Sequence, residues 1–181
     1  MTIKVLEEST IHRQGHIDFV VQQIELPGQK TVQKTIIRHP GAVAMVPLVD
    51  DNDVVLVEQY RFASAQNVLE IPAGTLEPGE DPIACAEREL QEEAGFFPGE
   101  LTHLGEIFVA PGQTDERIQL YLARALRPSR LPQDDDELIR VVRMPFSEAI
   151  AQIRGGHIRD ATTIIGLLQA QALLNGYHHF G

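Results

Sequence analysis

Residues 74–96, GTLEPGEDPIACAERELQEEAGF, limit the fold of this chain most tightly. They join a glycine loop to a short helix carrying Glu89, Glu92 and Glu93 on one face. At about 100° of rotation per residue, Glu89 and Glu93 lie one turn apart and Glu92 completes an arc of roughly 100°. Like charges at this spacing repel, by roughly a few tenths of a kcal/mol in an isolated helix, so the placement points to a cation between them. Mg²⁺ suits it, with Mn²⁺ or another divalent ion as substitutes, because hard cations prefer oxygen ligands and bind diphosphates. Ile83, Ala86, Leu90 and Ala94 form an apolar stripe on the opposing face, predicted to pack on a sheet. Asp81 followed by Pro82 is a helix start, and Gly95 is a fitting stop.

The fixed positions are Gly74, Glu80, Arg88, Glu89, Leu90, Glu92, Glu93, Gly95 and Phe96. At ordinary residue frequencies the seven identities among them, Leu90 and Phe96 counting only as apolar, coincide on the order of once in 10⁸ starts. This pattern resembles the Nudix box with no departure inside it. The resemblance covers about residues 40–175. It implies an enzyme that hydrolyses a nucleoside diphosphate linked to another group, on an α/β/α sandwich with a mixed sheet. By the same resemblance, Glu89 and Glu93 are the principal Mg²⁺ ligands, Glu92 is an additional one, and the Ala73 carbonyl is a backbone ligand. Gly74, Glu80 and Arg88 are implied supports that hold loop and helix in register. Independently, Arg88 sits i,i+4 from Glu92, where an orienting ion pair is physically sensible.

The rest of the chain fits an α/β protein. Residues 3–38 read as three extended segments with turn signals at 13–15 and 27–29, and Ile17, Phe19 and Val21 alternate with polar neighbours. Such a small antiparallel sheet does not stand alone, so it is expected to pack on the main domain or a second subunit. The predicted division is a dimerising N-terminal sheet at 1–39 and a hydrolase domain at 40–181. In the latter, strands are expected at 42–48, 54–60, 101–109, 117–126 and 138–144, with a short segment at 68–72 feeding the box. Two closing helices are expected, one at 147–154 and one starting at Asp160 and running to Gly176.

Outside the box, Pro111 stands sixteen residues beyond Gly95. That position is similar to the downstream proline of the ADP-ribose pyrophosphatases of the family. The strings VEQYR at 57–61 and EIPAG at 70–74 resemble the same subfamily. Arg61 is the candidate diphosphate contact, since a guanidinium matches phosphate through paired donors. Glu70 is a candidate for ribose or outer-metal contact. The resemblance also implies a basic residue reaching the substrate from the N-terminal sheet across a dimer. Lys34 holds the matching position and Arg38 lies nearby, although lysine gives a point charge where the family pattern has a fork. The run RPSRLPQDDDE at 127–137 reads as an exposed loop. From it the family places a glutamate over the site, best matched by Glu137, with Asp135 and Asp136 as alternatives.

Among 181 residues, 15 Lys and Arg against 26 Asp and Glu give a formal net charge of −11. That balance argues against nonspecific nucleic-acid or anionic-membrane binding. The lone Cys85 excludes an intrachain disulfide and reads as a small filler. The seven histidines show no metal-ligand spacing and are read as surface or core residues. No signal-peptide pattern opens the sequence, and its longest apolar run, 42–49, is far too short to span a bilayer, so the cytoplasm is expected. These readings converge on a homodimeric, Mg²⁺-dependent ADP-ribose pyrophosphatase giving AMP and ribose 5-phosphate. Hydrolysis of another nucleoside diphosphate sugar such as GDP-mannose is the close alternative, and a non-catalytic ADP-ribose sensor the remote one.

Overall fold

The computed structural model describes residues 2–50, 52–133 and 138–176. Its first three strands, β1 (Lys4–Gln14), β2 (Ile17–Leu26) and β3 (Lys30–Arg38), form the separate antiparallel sheet the alternation predicts. Val20 on β2 is buried, whereas every residue of β1 is exposed.

The main sheet follows with β4 (Ala42–Val49), β5 (Asp53–Arg61), β6 (Gln66–Glu70) and β7 (Ala73–Thr75). Helix α1 (Pro82–Glu89) continues as a π turn (Leu90–Ala94) into the two-residue strand β8 (Phe96–Phe97). Then come β9 (Glu100–Phe108), β10 (Arg117–Arg124), β11 (Arg127–Pro128), β12 (Ile139–Pro145), α2 (Phe146–Arg154) and α3 (Ala161–Leu174). The spatial order is β12-β5-β4-β10-β9, with β6 on β5 and β7 on β4, while β8 and β11 pair apart. Only the β4–β10 ladder of the main sheet is parallel, so the sheet is mixed.

Both faces of β4 are covered, which explains its unbroken apolar run. Ala44, Val46 and Leu48 point into the core shared with α2 and α3. Val43 and Met45 point into the core shared with α1, together with Cys85, Ala86, Leu90 and Ala94. This is the expected α/β/α sandwich. The short segment expected at 68–72 contains the end of β6, which stops at Glu70, and β7 begins only at Ala73, because Pro72 has no N–H for a ladder. The same edge of β4 pairs with β7 over Ala42 to Ala44 and with β5 only at Leu48 and Val49. Between those pairings, Met45 N–H donates to the Pro72 carbonyl at 2.9 Å. The linker at 70–73 thus lies in a cleft of the sheet itself.

At the helix, Asp81 accepts from the Ile83 and Ala84 amides, and Gly95 stops the turn in the left-handed conformation, φ 78°. One detail differs from the sequence reading. Ile83 is 50% exposed at the overhanging first turn, and Cys85 fills the core in its place. The two faces are not opposed either, since Glu89 and Glu93 lie beside Leu90 and Ala94 and are turned inward with them. Ahead of the helix, the Arg88 guanidinium clasps Glu80, Nε to Oε1 at 2.9 Å and Nη2 to Oε2 at 3.0 Å. Glu80 also accepts from the Glu77 amide.

The Arg88 hydrogen bonds hold the Glu80 carboxyl at about 2 against an ordinary 4.5. Because the folded value lies below the unfolded one, this stabilisation is present above about 4.5 and fades as pH falls toward 2. Urea denaturation should therefore show Glu80→Gln less stable than the native chain at neutral pH, with the gap closing between pH 4.5 and 2. A gap that stays constant through that window would assign the clasp no role in stability.

Candidate active site

A cavity of about 870 Å³ opens where the sheet cleft meets α1 and the α2–α3 connection. Its lining includes Ala73, Gly74, Arg88, Glu89, Glu92 and Glu93, so the box carboxylates share one space. Glu93 is 1% exposed and Glu89 9%. Burial of such charges is costly unless they are hydrogen-bonded, and each has a built partner. Glu93 Oε2 accepts from the Ala73 amide at 2.9 Å. Arg88 Nη1 donates to Glu89 Oε1 at 2.7 Å and to Glu92 Oε2 at 3.0 Å. With Glu80 on its other edge, Arg88 is surrounded by carboxylates, which push its pKa above the ordinary arginine value.

Gly74 is required by space. A Cβ there would stand 1.8 Å from Cδ of Glu89, so any side chain would expel the carboxylate from its place over the loop. Among the described residues, no three His, Cys, Asp or Glu groups already enclose a cation. Glu89 and Glu92 are drawn onto Arg88 instead. The donor set nevertheless consists of carboxylate oxygens next to a backbone segment, which is the chemistry hard divalent ions take.

Across the cavity, Arg61 and Glu70 form a bidentate pair, Nε to Oε1 at 2.9 Å and Nη2 to Oε2 at 2.5 Å. Glu70 is buried, and its hydrogen bonds raise the pKa of Arg61. The two separate candidates of the sequence are thus one unit. Lys34 is exposed on β3 opposite Gln22 and is not part of the cavity lining. Arg38 is also away from the lining, where it joins Glu8 at 2.6 Å to Asp115 at 2.8 Å and so clamps β1 to the loop before β10. Pro111 is exposed in the turn closed by Gln113 N–H on the Ala110 carbonyl, between the cavity residues Val109 and Glu116. Glu137, Asp135 and Asp136 lie outside the described residues.

Sequence reasoning missed the wall built by the α2–α3 connection. His157, Arg159 and Asp160 line the cavity, and Arg159 Nη2 donates to the side-chain Oε1 of Gln66 at 2.7 Å. His16, from the β1–β2 turn, reaches it as well. Setting all histidines aside as surface or core therefore overlooked two of them. The only available signal was position, a basic residue directly before the Asp160 helix start.

A sequence profile of the NUDIX domain matches residues 38–164. The methanol dehydrogenase activator of Bacillus methanolicus is 38% identical over 180 residues, covering 94% of this chain and 97% of that one. The ADP-ribose pyrophosphatase of Bacillus subtilis (strain 168) is 34% identical over 176 residues, covering 93% and 95%. Among solved structures, a crystal structure of an ADP compounds hydrolase superposes with a TM-score of 0.86 at 25% identity, covering 97% of this chain and 96% of that one. Matched over most of its length by profile, relatives and fold, and with Glu89, Glu92 and Glu93 of the box facing one cavity, the chain belongs to the Nudix hydrolase family.

Proposed function

We propose that this chain hydrolyses the diphosphate of ADP-ribose, giving AMP and ribose 5-phosphate. The observation that carries the reading is the meeting of Glu89, Glu92 and Glu93 with the Arg61–Glu70 pair in one cavity. The Bacillus subtilis relative named for that reaction supports the choice of substrate. Glu89, Glu92, Glu93 and the Ala73 carbonyl would hold Mg²⁺, and family membership makes a divalent ion the expected cofactor. When bound, such ions offset phosphate charge and lower the pKa of an attacking water.

The protein's own groups bind and orient. Arg61 spends Nε and Nη2 on Glu70, which leaves its Nη1 donors for a phosphate oxygen. Arg159, held only by a neutral amide among its described contacts, adds positive charge to the same wall. Both matter in a chain of net charge −11 that must admit a polyanion. Arg88 keeps Glu89 and Glu92 in register, so their side chains lose little freedom when the site fills.

We further assign residues 1–39 as a dimerisation element, 40–181 as the hydrolase domain, and the cytoplasm as the compartment. No helix among the described residues is long and apolar enough to cross a membrane. The dimer is motivated by β1, whose outer edge is open and which exposes Val5, Leu6 and Ile11.

Three measurements check these statements. A chromatographic screen of ADP-ribose, NADH, ADP-glucose and GDP-mannose with Mg²⁺ should give AMP fastest from ADP-ribose. GDP-mannose turned over first would replace the substrate, and binding without turnover would make the chain a sensor. Glu93→Gln should retain the native circular dichroism while losing at least about a thousandfold in kcat, and a loss within about tenfold would remove Glu93 from the site. Light scattering should give twice the monomer mass at micromolar concentration, against which an active monomer would count decisively.

A further inference from the structure

We infer that Thr163 is a positioning residue that fixes the linker carrying Glu70 and Ala73, and through it the carboxylate of Glu93. Thr163 is fully buried at the start of α3. Its Oγ1 accepts from the Ile71 amide at 2.9 Å and donates to Asp160 Oδ2 at 2.8 Å. Asp160 Oδ2 also caps the helix by accepting from the Thr163 amide at 2.7 Å. The hydroxyl is therefore held on both sides, and its lone pair is aimed at one backbone N–H of the cleft linker.

The place of that N–H is what gives the contact its reach. Ile71 follows Glu70, whose carboxylate holds Arg61, and precedes Pro72 and Ala73. Proline fixes its own φ near −65° and restricts the residue before it to extended conformations. The linker from Ile71 to Ala73 consequently behaves as a stiff rod. A shift at the Ile71 amide displaces the Ala73 amide, which donates to Glu93 Oε2 at 2.9 Å. The Ile71 side chain is gripped by the same helix, one turn on from Thr163. A Cβ on Gly166 would lie 2.8 Å from Ile71 Cδ1, so the helix comes as near to the linker as glycine permits. Loss of the hydroxyl also strands a buried N–H, which the linker can satisfy only by moving.

The inference rests on the proposed metal site for its binding consequence and on the proposed substrate for its kinetic consequence, and the test keeps the two apart. Thr163→Val preserves shape and removes the hydroxyl, Thr163→Ser preserves the hydroxyl, and Leu167→Ala destabilises the same buried helix face without touching the linker amide. Mn²⁺ binding, followed by electron paramagnetic resonance without substrate, should weaken at least about fivefold in Thr163→Val and stay within about twofold of native in Thr163→Ser and Leu167→Ala. Turnover of ADP-ribose should follow the same order, with kcat down at least about tenfold in Thr163→Val. Thermal melting should fall in Leu167→Ala at least as far as in Thr163→Val, which separates positioning from stability. If Thr163→Val fails to fold, Thr163→Ala supplies the same deletion with room to relax. Native Mn²⁺ affinity in a folded hydroxyl deletion, or equal weakening in Leu167→Ala, would overturn the inference. A native enzyme inactive on ADP-ribose while the Mn²⁺ order holds would overturn the substrate reading alone.

Discussion

Two carboxylates one helical turn apart, Glu89 and Glu93, are buried where the chain gains nothing by hiding charge, and the surrounding structure is arranged to meet that cost. A buried ion left without partners is strongly destabilising, while a paired and hydrogen-bonded one roughly breaks even. Arg88 supplies the pairing on one side, and it is held in turn by Glu80. The Ala73 amide supplies a hydrogen bond on the other. The box is therefore more than a helix with acids on it. Its glycine loop must return so that Glu80 reaches Arg88, and it must lack a side chain at Gly74 so that Glu89 can lie across it.

The main sheet makes this possible by dividing. One edge of β4 pairs with β7 at its beginning and with β5 at its end, which leaves a cleft for the linker at 70–73. Elements from both faces then reach one cavity: α1 and its π turn bring the carboxylates, the end of β5 brings Arg61, and the connection into α3 brings Arg159 and Asp160. Acidic groups hold one wall and cationic groups stand on another, in a chain whose surface charge is strongly negative. Bound cations would lower the repulsion that such carboxylates exert on a diphosphate, and this would couple substrate affinity to metal.

Much of this was legible in the sequence, for identifiable reasons. Asp81, Pro82 and Gly95 are local signals whose physics needs no tertiary context, and the helix starts and stops where they indicate. The run 42–48 marked a strand, as observed, and the structure accounts for its unbroken apolar character by covering both faces. The π turn at Leu90–Ala94 has no comparable signal, because a wider hydrogen bond leaves no mark in residue type. Burial of Cys85 in preference to Ile83 depends on where the sheet ends beneath the first helical turn. Arg61 and Glu70 were each legible as polar residues near the site, but their union was not, since the β5–β6 ladder sets Arg61 opposite Gln66 and Glu70 opposite Val57, and the long Arg61 side chain spans the difference. The wall at His157 and Arg159 was hidden, since only the path of the connection between α2 and α3 brings it to the cavity.

The central claim is that water is delivered to a phosphorus of the diphosphate bound beside Glu89, Glu92 and Glu93. Turnover of ADP-ribose in ¹⁸O-enriched water, with mass spectrometry of both products, tests it most directly. The account requires one ¹⁸O in a single turnover on the phosphate of either AMP or ribose 5-phosphate and none on the phosphate of the other, read from the phosphate fragments because the free ribose C1 hydroxyl exchanges with water. ADP and free ribose as the products, with no label on a phosphate, would place the cleavage outside the diphosphate and contradict it.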